Sequence, residues 1–141
     1  MAVLGRPEEE AKGLRALRAV RHRTANALQV ALGWAQLGEG DRAAEALARI
    51  VGEEALLSAL GRTGSDREQY AFWQLFADAE EQGRPIALRG DPLSLQRGAL
   101  AEATGCLAEA LRQPRRGTIL LTCGPQGIQA SWPEEDNDVR R

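Results

Sequence analysis

The chain carries a single histidine, His22, inside the run RHRTANALQV at residues 21–30. Asn26 follows four residues later, so on a helix the imidazole and the carboxamide share one face, one turn apart. Arg15 and Arg18 lie on that face too, and Arg21 and Arg23 flank the histidine. A neutral imidazole is a good nucleophile for phosphorus, and its phosphoramidate keeps a high transfer potential. A histidine used this way is exposed, held on a rigid element, and close to a dipole that orients a phosphoryl oxygen or a water. Asn26 supplies such a dipole, and the arginines supply positive charge toward a phosphoryl group. Other chemistries fit less well. No Ser, Cys or carboxylate pattern accompanies His22 for general-base work, and no second histidine or cysteine partner makes it a metal ligand. Without any of these uses it is an ordinary solvated histidine.

The element that must hold His22 is a long helix. From Pro7 and the acidic run Glu8, Glu9 and Glu10, which suit a helix start, only Gly13 and Gly33 interrupt the helical pattern before Leu37. At 100° per residue Leu14, Leu17, Val20, Thr24, Leu28, Ala31, Leu32 and Ala35 share one face, widened by Ala16, Ala27 and Trp34. The opposite face carries Arg15, Arg18, His22, Asn26, Gln29 and Gly33. Gly33 lowers helix propensity by roughly 1 kcal/mol relative to Ala. It makes room for a docking partner or is a tolerated defect. The run GEGD, residues 38–41, predicts a stop, a tight turn and an Asp41 N-cap. A second helix then runs from Arg42 to about Leu60, with Ala43, Leu47, Ile50, Val51 and Leu57 inward and Glu54 out of place among them. A linker this short makes the two helices antiparallel neighbours. One hairpin cannot bury so wide an apolar arc, which predicts a homodimer with a four-helix bundle.

After the linker GRTGSD, Ser65 or Asp66 starts an amphipathic helix holding Tyr70, Phe72, Trp73, Leu75 and Phe76. Gly83 ends it. The pattern then gives a short strand at 85–88 and a helix from about Pro92 to Gln113 with Leu93, Leu95, Leu100, Leu107 and Leu111 as its core. A hairpin of 118–123 and 128–132 across the turn GPQG follows. The acidic tail from Pro133 is expected to be disordered. The expected fold class is α+β. Its parts are a helical hairpin over 8–61, a small α-β-α-β-β domain over 66–132, and the tail 133–141.

Bulk composition agrees with a helix-on-helix core, since 43% of the 141 residues are hydrophobic but only 4% are aromatic. The net charge of −2, with acids and bases mixed, offers no polybasic field for nucleic acid or an anionic membrane. No stretch approaches the ~20 apolar residues of a membrane helix. The first residues lack the basic and apolar regions of a signal peptide. Cys106 and Cys123 have no metal-ligand spacing and read as buried free thiols of a reducing compartment. A cytoplasmic protein is the expectation.

The run LRALRAVRHRTANALQVALGWAQLGEGDRAAEAL resembles the α-helical phosphotransferase domain of the sporulation-initiation phosphotransferase B family, a hairpin also carried by sensor kinases of the citrate type. The resemblance lies in Arg21-His22, Asn26, the Leu28-Gln29-Val30 step, Gly33, Leu37 and the Asp41-Arg42 restart. It covers about residues 14–60; beyond them the likeness to the family's degenerate kinase-like C-terminal domain is one of element order.

The resemblance implies that His22 receives a phosphoryl group from one response-regulator aspartate and passes it to another, within a homodimeric four-helix bundle of a two-component phosphorelay. Asn26 would orient the phosphoryl oxygens. Arg15, Arg18, Arg21, Arg23, Gln29 and Gly33 would form the surface for receiver domains. No cofactor of its own is implied, since the receiver brings its Mg²⁺. The family pattern puts an acid after the histidine, where this chain has Arg23. The kinase-like helix reads ATGCLAEALRQP, with Gly105 and Glu109 in place of the Mg²⁺-holding asparagines, and no D-x-G-x-G box follows. ATP binding and autokinase activity are therefore not expected. Two other readings stand beside the relay: a non-catalytic scaffold that binds a response regulator, and a response-regulator phosphatase in which Asn26 positions water.

Overall fold

A computed structural model describes residues 7–133, with side chains from Gly13 onward. Among the described residues the chain is α+β, with four helices and a three-stranded mixed sheet. The expected disordered tail lies outside the described residues, apart from Pro133. Helix α1 spans Pro7–Gln36 and α2 spans Gly40–Gly61, joined by the tight turn at Leu37–Glu39. Gly38 takes φ +78° there, the left-handed conformation that stops a helix. Asp41 is not the cap. The helix starts two residues earlier than expected, at Gly40, Glu39 holds the cap position without a side-chain bond, and Asp41 lies in the first turn. An acid in that turn still complements the helix dipole.

Helix α3, Asp66–Glu81, begins with a complete capping box. The Ser65 side chain accepts from the Glu68 N–H at 3.2 Å, and the Glu68 carboxylate accepts from the Ser65 N–H at 2.9 Å. Strand β1, Ile86–Gly90, follows. The expected continuous helix from Pro92 is broken in two. Asp91 caps a single 3-10 turn, Pro92–Ser94, by accepting from the Leu93 N–H at 2.9 Å. Gly98, at φ +86°, then resets the chain, and α4 runs only over Ala99–Arg112. Leu93, expected in the core, is 94% exposed as a result. Buried Arg84 closes the other end of α4 by donating to the carbonyls of Ala110 and Leu111.

Strands β2, Ile119–Gly124, and β3, Gly127–Ser131, form the expected hairpin. β1 pairs parallel with β2, so α4 is a βαβ crossover and the strand order is β1-β2-β3. Gly90 has φ +152°, and a Cβ there would collide with the Cys123 carbonyl across the parallel pair.

Both edges of this small sheet are occupied by side chains. On β1, Arg23 donates to the Ile86 carbonyl at 3.0 Å, and Glu53 accepts from the Leu88 N–H at 2.9 Å. On β3, Glu102 accepts from the Ile128 N–H at 2.9 Å, and the Cys106 thiol donates to the Ile128 carbonyl at 3.2 Å. Each pair supplies one donor and one acceptor, as a neighbouring strand would.

The main core joins Phe72 and Phe76 of α3, Leu100 and Leu107 of α4, and Ile86, Ile119 and Leu121 of the sheet. Leu56, Leu57 and Leu60 from the end of α2 belong to the same cluster, so one core crosses the linker. The hairpin beyond it is thinly covered. Between Ala16 and Leu56, only Ala31 and Ala43 are buried. Leu47 and Val51, expected on the inner face of α2, point outward. The inner positions are Ala43, Ala46, Ile50, Glu53, Leu56, Leu57 and Leu60, all buried or half-buried.

Candidate functional site

The long, uninterrupted helix α1 carries His22, and both His22 and Asn26 are exposed on it. A rise of about 6 Å separates them along the axis. The structure therefore brings these two together at the surface of α1. Arg18, Arg21 and Gln29 are exposed as well. Gly33 is half-buried, and a Cβ added to it would meet nothing within 4 Å.

Arg15 and Arg23 behave differently. Arg15 reaches across to α3, where its Nη2 donates to Asp78 Oδ1 at 2.9 Å and to Gln74 Oε1 at 3.0 Å, and its Nη1 to Glu81 Oε2 at 3.2 Å. It fastens the first half of α1 to α3. Arg23 turns away from His22 toward the sheet. Its Nη2 lies 2.5 Å from Glu53 Oε2, its Nε and Nη2 both donate to the Ile86 carbonyl, and its guanidinium sits 5.5 Å from the centre of the Phe76 ring. The side chains of Arg23 and Glu53 are 17% and 13% exposed, so this ion pair is largely screened from solvent. Arg23 is thereby turned away from the surface around His22, whereas the Arg15 side chain stays 39% exposed beside it. They hold the helix that presents the histidine.

A groove of about 710 Å³ runs beside His22, between α1 and the end of α3. It is lined by Ala19, Ala25 and Ala77, with Arg18 and Arg21 on the α1 side, Glu80 and Glu81 on the α3 side, and Arg15 reaching across to Glu81. Sequence alone places the surface on α1 and misses this α3 wall. Nothing in the local pattern of α3 shows that its C-terminal turns pass alongside His22; the crossing of the two helices decides it. Glu53 is also missed, although its signal is present. It falls at the spacing of Ala46, Ile50, Leu57 and Leu60, the packing face of α2.

The apolar arc of α1 divides into two. Its Ala16 and Ala31 are buried and Val20, Thr24, Ala27 and Trp34 half-buried against the rest of the chain. Leu14, Leu17, Leu28 and Leu32 remain exposed, the last two by 46% and 56%. The Thr24 hydroxyl and Glu54, 3.4 Å apart, mark the side of the hairpin away from the Arg23–Glu53 pair. That side carries the exposed leucines together with Leu47 and Val51.

The two cysteines are free. Burial, followed by the neighbouring Cys106 and Glu102, pushes the Cys123 thiol up from 9.0 to about 11. Burial, then Glu102, also raises Cys106. Thiols held in the neutral form are poor nucleophiles and poor metal ligands. Among the described residues no group of three or more His, Cys, Asp or Glu side chains could hold a metal ion, and no helix is long and apolar enough to cross a membrane. Set against protein-family models, curated proteins and solved structures, the chain has no match.

Proposed function

We propose that the protein is a cytoplasmic, homodimeric histidine phosphotransferase that relays phosphoryl groups between response regulators through phospho-His22, without binding ATP. One observation carries the reading: the chain's single histidine is exposed on a helix clamped from both sides, with Asn26 one turn away and a charged groove alongside. In the forward step the imidazole nitrogen attacks the phosphorus of the regulator's aspartyl phosphate. The N–P bond forms as the O–P bond breaks, and the aspartate leaves as carboxylate. In-line attack is favoured because a fixed helix holds the nucleophile already oriented. The Asn26 amide and the exposed Arg18 and Arg21 guanidinium groups stabilise charge on the phosphoryl oxygens, beside the Mg²⁺ that the receiver brings. The uncovered leucines of the hairpin provide the surface on which two chains form a four-helix bundle. Residues 66–132 would then buttress that bundle as a degenerate kinase-like domain.

The test is label transfer from phosphorylated receiver domains of the same genome. Wild type takes up label and yields it to a second receiver; His22→Ala takes up none; Asn26→Ala is slowed about 10²-fold. Equal, background uptake by wild type and His22→Ala would end the relay reading. A phosphatase would instead release phosphate with His22→Ala and lose activity with Asn26→Ala. A scaffold would bind a receiver and transfer nothing.

A further inference from the structure

The groove beside His22 has walls of opposite charge. Arg18 and Arg21 on α1 are exposed and have no ion-pair partner among the described residues. On the α3 wall, Glu81 already accepts from Arg15, whereas half-buried Glu80 has no such partner among the described residues. Between the walls lie the small side chains of Ala19, Ala25 and Ala77, with His22 and the α3-bound Arg15 beside them. A floor of small side chains lets another helix approach to the short interaxial distances of packed helices, about 8–10 Å. A carboxylate partly shielded from water interacts with an incoming cation more strongly than one on open surface. We propose that this groove is the docking channel for a helix of the phosphoryl-donating receiver, and that Glu80 selects that helix by a basic side chain on its α3-facing edge. The occupant's other edge, facing Arg18 and Arg21, is acidic, and the strip between is of small or apolar residues. This rests on the reading of His22 as phosphoryl carrier. It adds a specificity-determining residue on a different helix, one that does not touch the reacting atoms.

The experiment uses the full chain and the receiver that transfers or binds best, with Glu80→Lys, Glu80→Gln and, as a control on the far helix, Glu109→Lys. Three quantities are read: KM and kcat for transfer, Kd for the receiver by fluorescence anisotropy, and the rate of His22 phosphorylation by phosphoramidate, a small donor that needs no docking. Glu80→Lys raises KM and Kd at least about tenfold, as a reversed charge at a docking surface does, with kcat close to wild type. Glu80→Gln lies between, Glu109→Lys matches wild type, and all react equally with phosphoramidate, which shows that the fold and His22 are intact. Unchanged KM and Kd in Glu80→Lys overturn the proposal, and so does the absence of any receiver that binds wild type. If a receiver binds wild type more tightly than Glu80→Lys yet no phosphate moves, the relay reading falls and the groove assignment stands.

Discussion

Arg23 shows what one residue's neighbours in space can do to its apparent role. Next to His22 in sequence, it reads as part of the same surface. On a helix, however, consecutive side chains diverge by about 100°, and here that rotation carries the guanidinium inward to Glu53, Ile86 and Phe76. Removing one member leaves the other as an uncompensated charge in a screened site, and removing both leaves none. Arg23→Ala and Glu53→Ala are each expected to lower stability by about 3 kcal/mol, and the double variant by less than the sum. Urea denaturation of the four proteins of this cycle measures it, and additive losses would show that the pair is not a unit. His22, Asn26 and their exposure are legible from helical phase alone. The Arg23 clamp is not, because phase shows which way a side chain leaves its own helix and not what crosses there.

At the scale of elements, two helix starts differ from expectation. GEGD signals a stop and a restart, but the turn spends fewer residues than the pattern allows and Asp41 falls inside α2. Pro92 signals a start that the Asp91-capped turn uses up, after which Gly98 begins α4 in a new phase. The capping box of α3 is the clear case, since Ser65 and Glu68 satisfy two orphan N–H groups reciprocally. Ser65→Ala is expected to lower stability by about 1 kcal/mol. Leu93→Ser, at a site 94% exposed, is expected to change it hardly at all. Thermal melts of the two variants compare them directly, and an equal loss from both would contradict the split of the expected helix.

For the whole molecule, the width of the apolar arc on α1 is the informative quantity. The arc is wider than one helix covers, and in the single chain half of it stays open. Which half stays open is not legible in the sequence. The inner stripe combines the small Ala16, Ala27 and Ala31 with Val20, Thr24 and Trp34, and the large leucines remain outside. Small residues bring α1 and α2 close and leave the larger apolar side chains for another surface. In the proposed bundle Leu28 and Leu32 form part of the dimer contact, so the paired change Leu28→Lys, Leu32→Lys is expected to give a monomer while the α/β core keeps its fold. Sedimentation equilibrium reads the mass and circular dichroism the fold; a wild type that already sediments as a monomer would refute the bundle.

The side-chain pairs that close the two sheet edges have a consequence for synthesis. A bare strand edge is a template for pairing with other chains, most of all before folding is complete. Arg23 and Glu53 precede β1 in the chain, and Glu102 and Cys106 precede β3. As the polypeptide leaves the ribosome, each exposed strand therefore emerges after the groups that cover it. The order of the sequence itself shortens the time in which either edge is open to a neighbouring nascent chain.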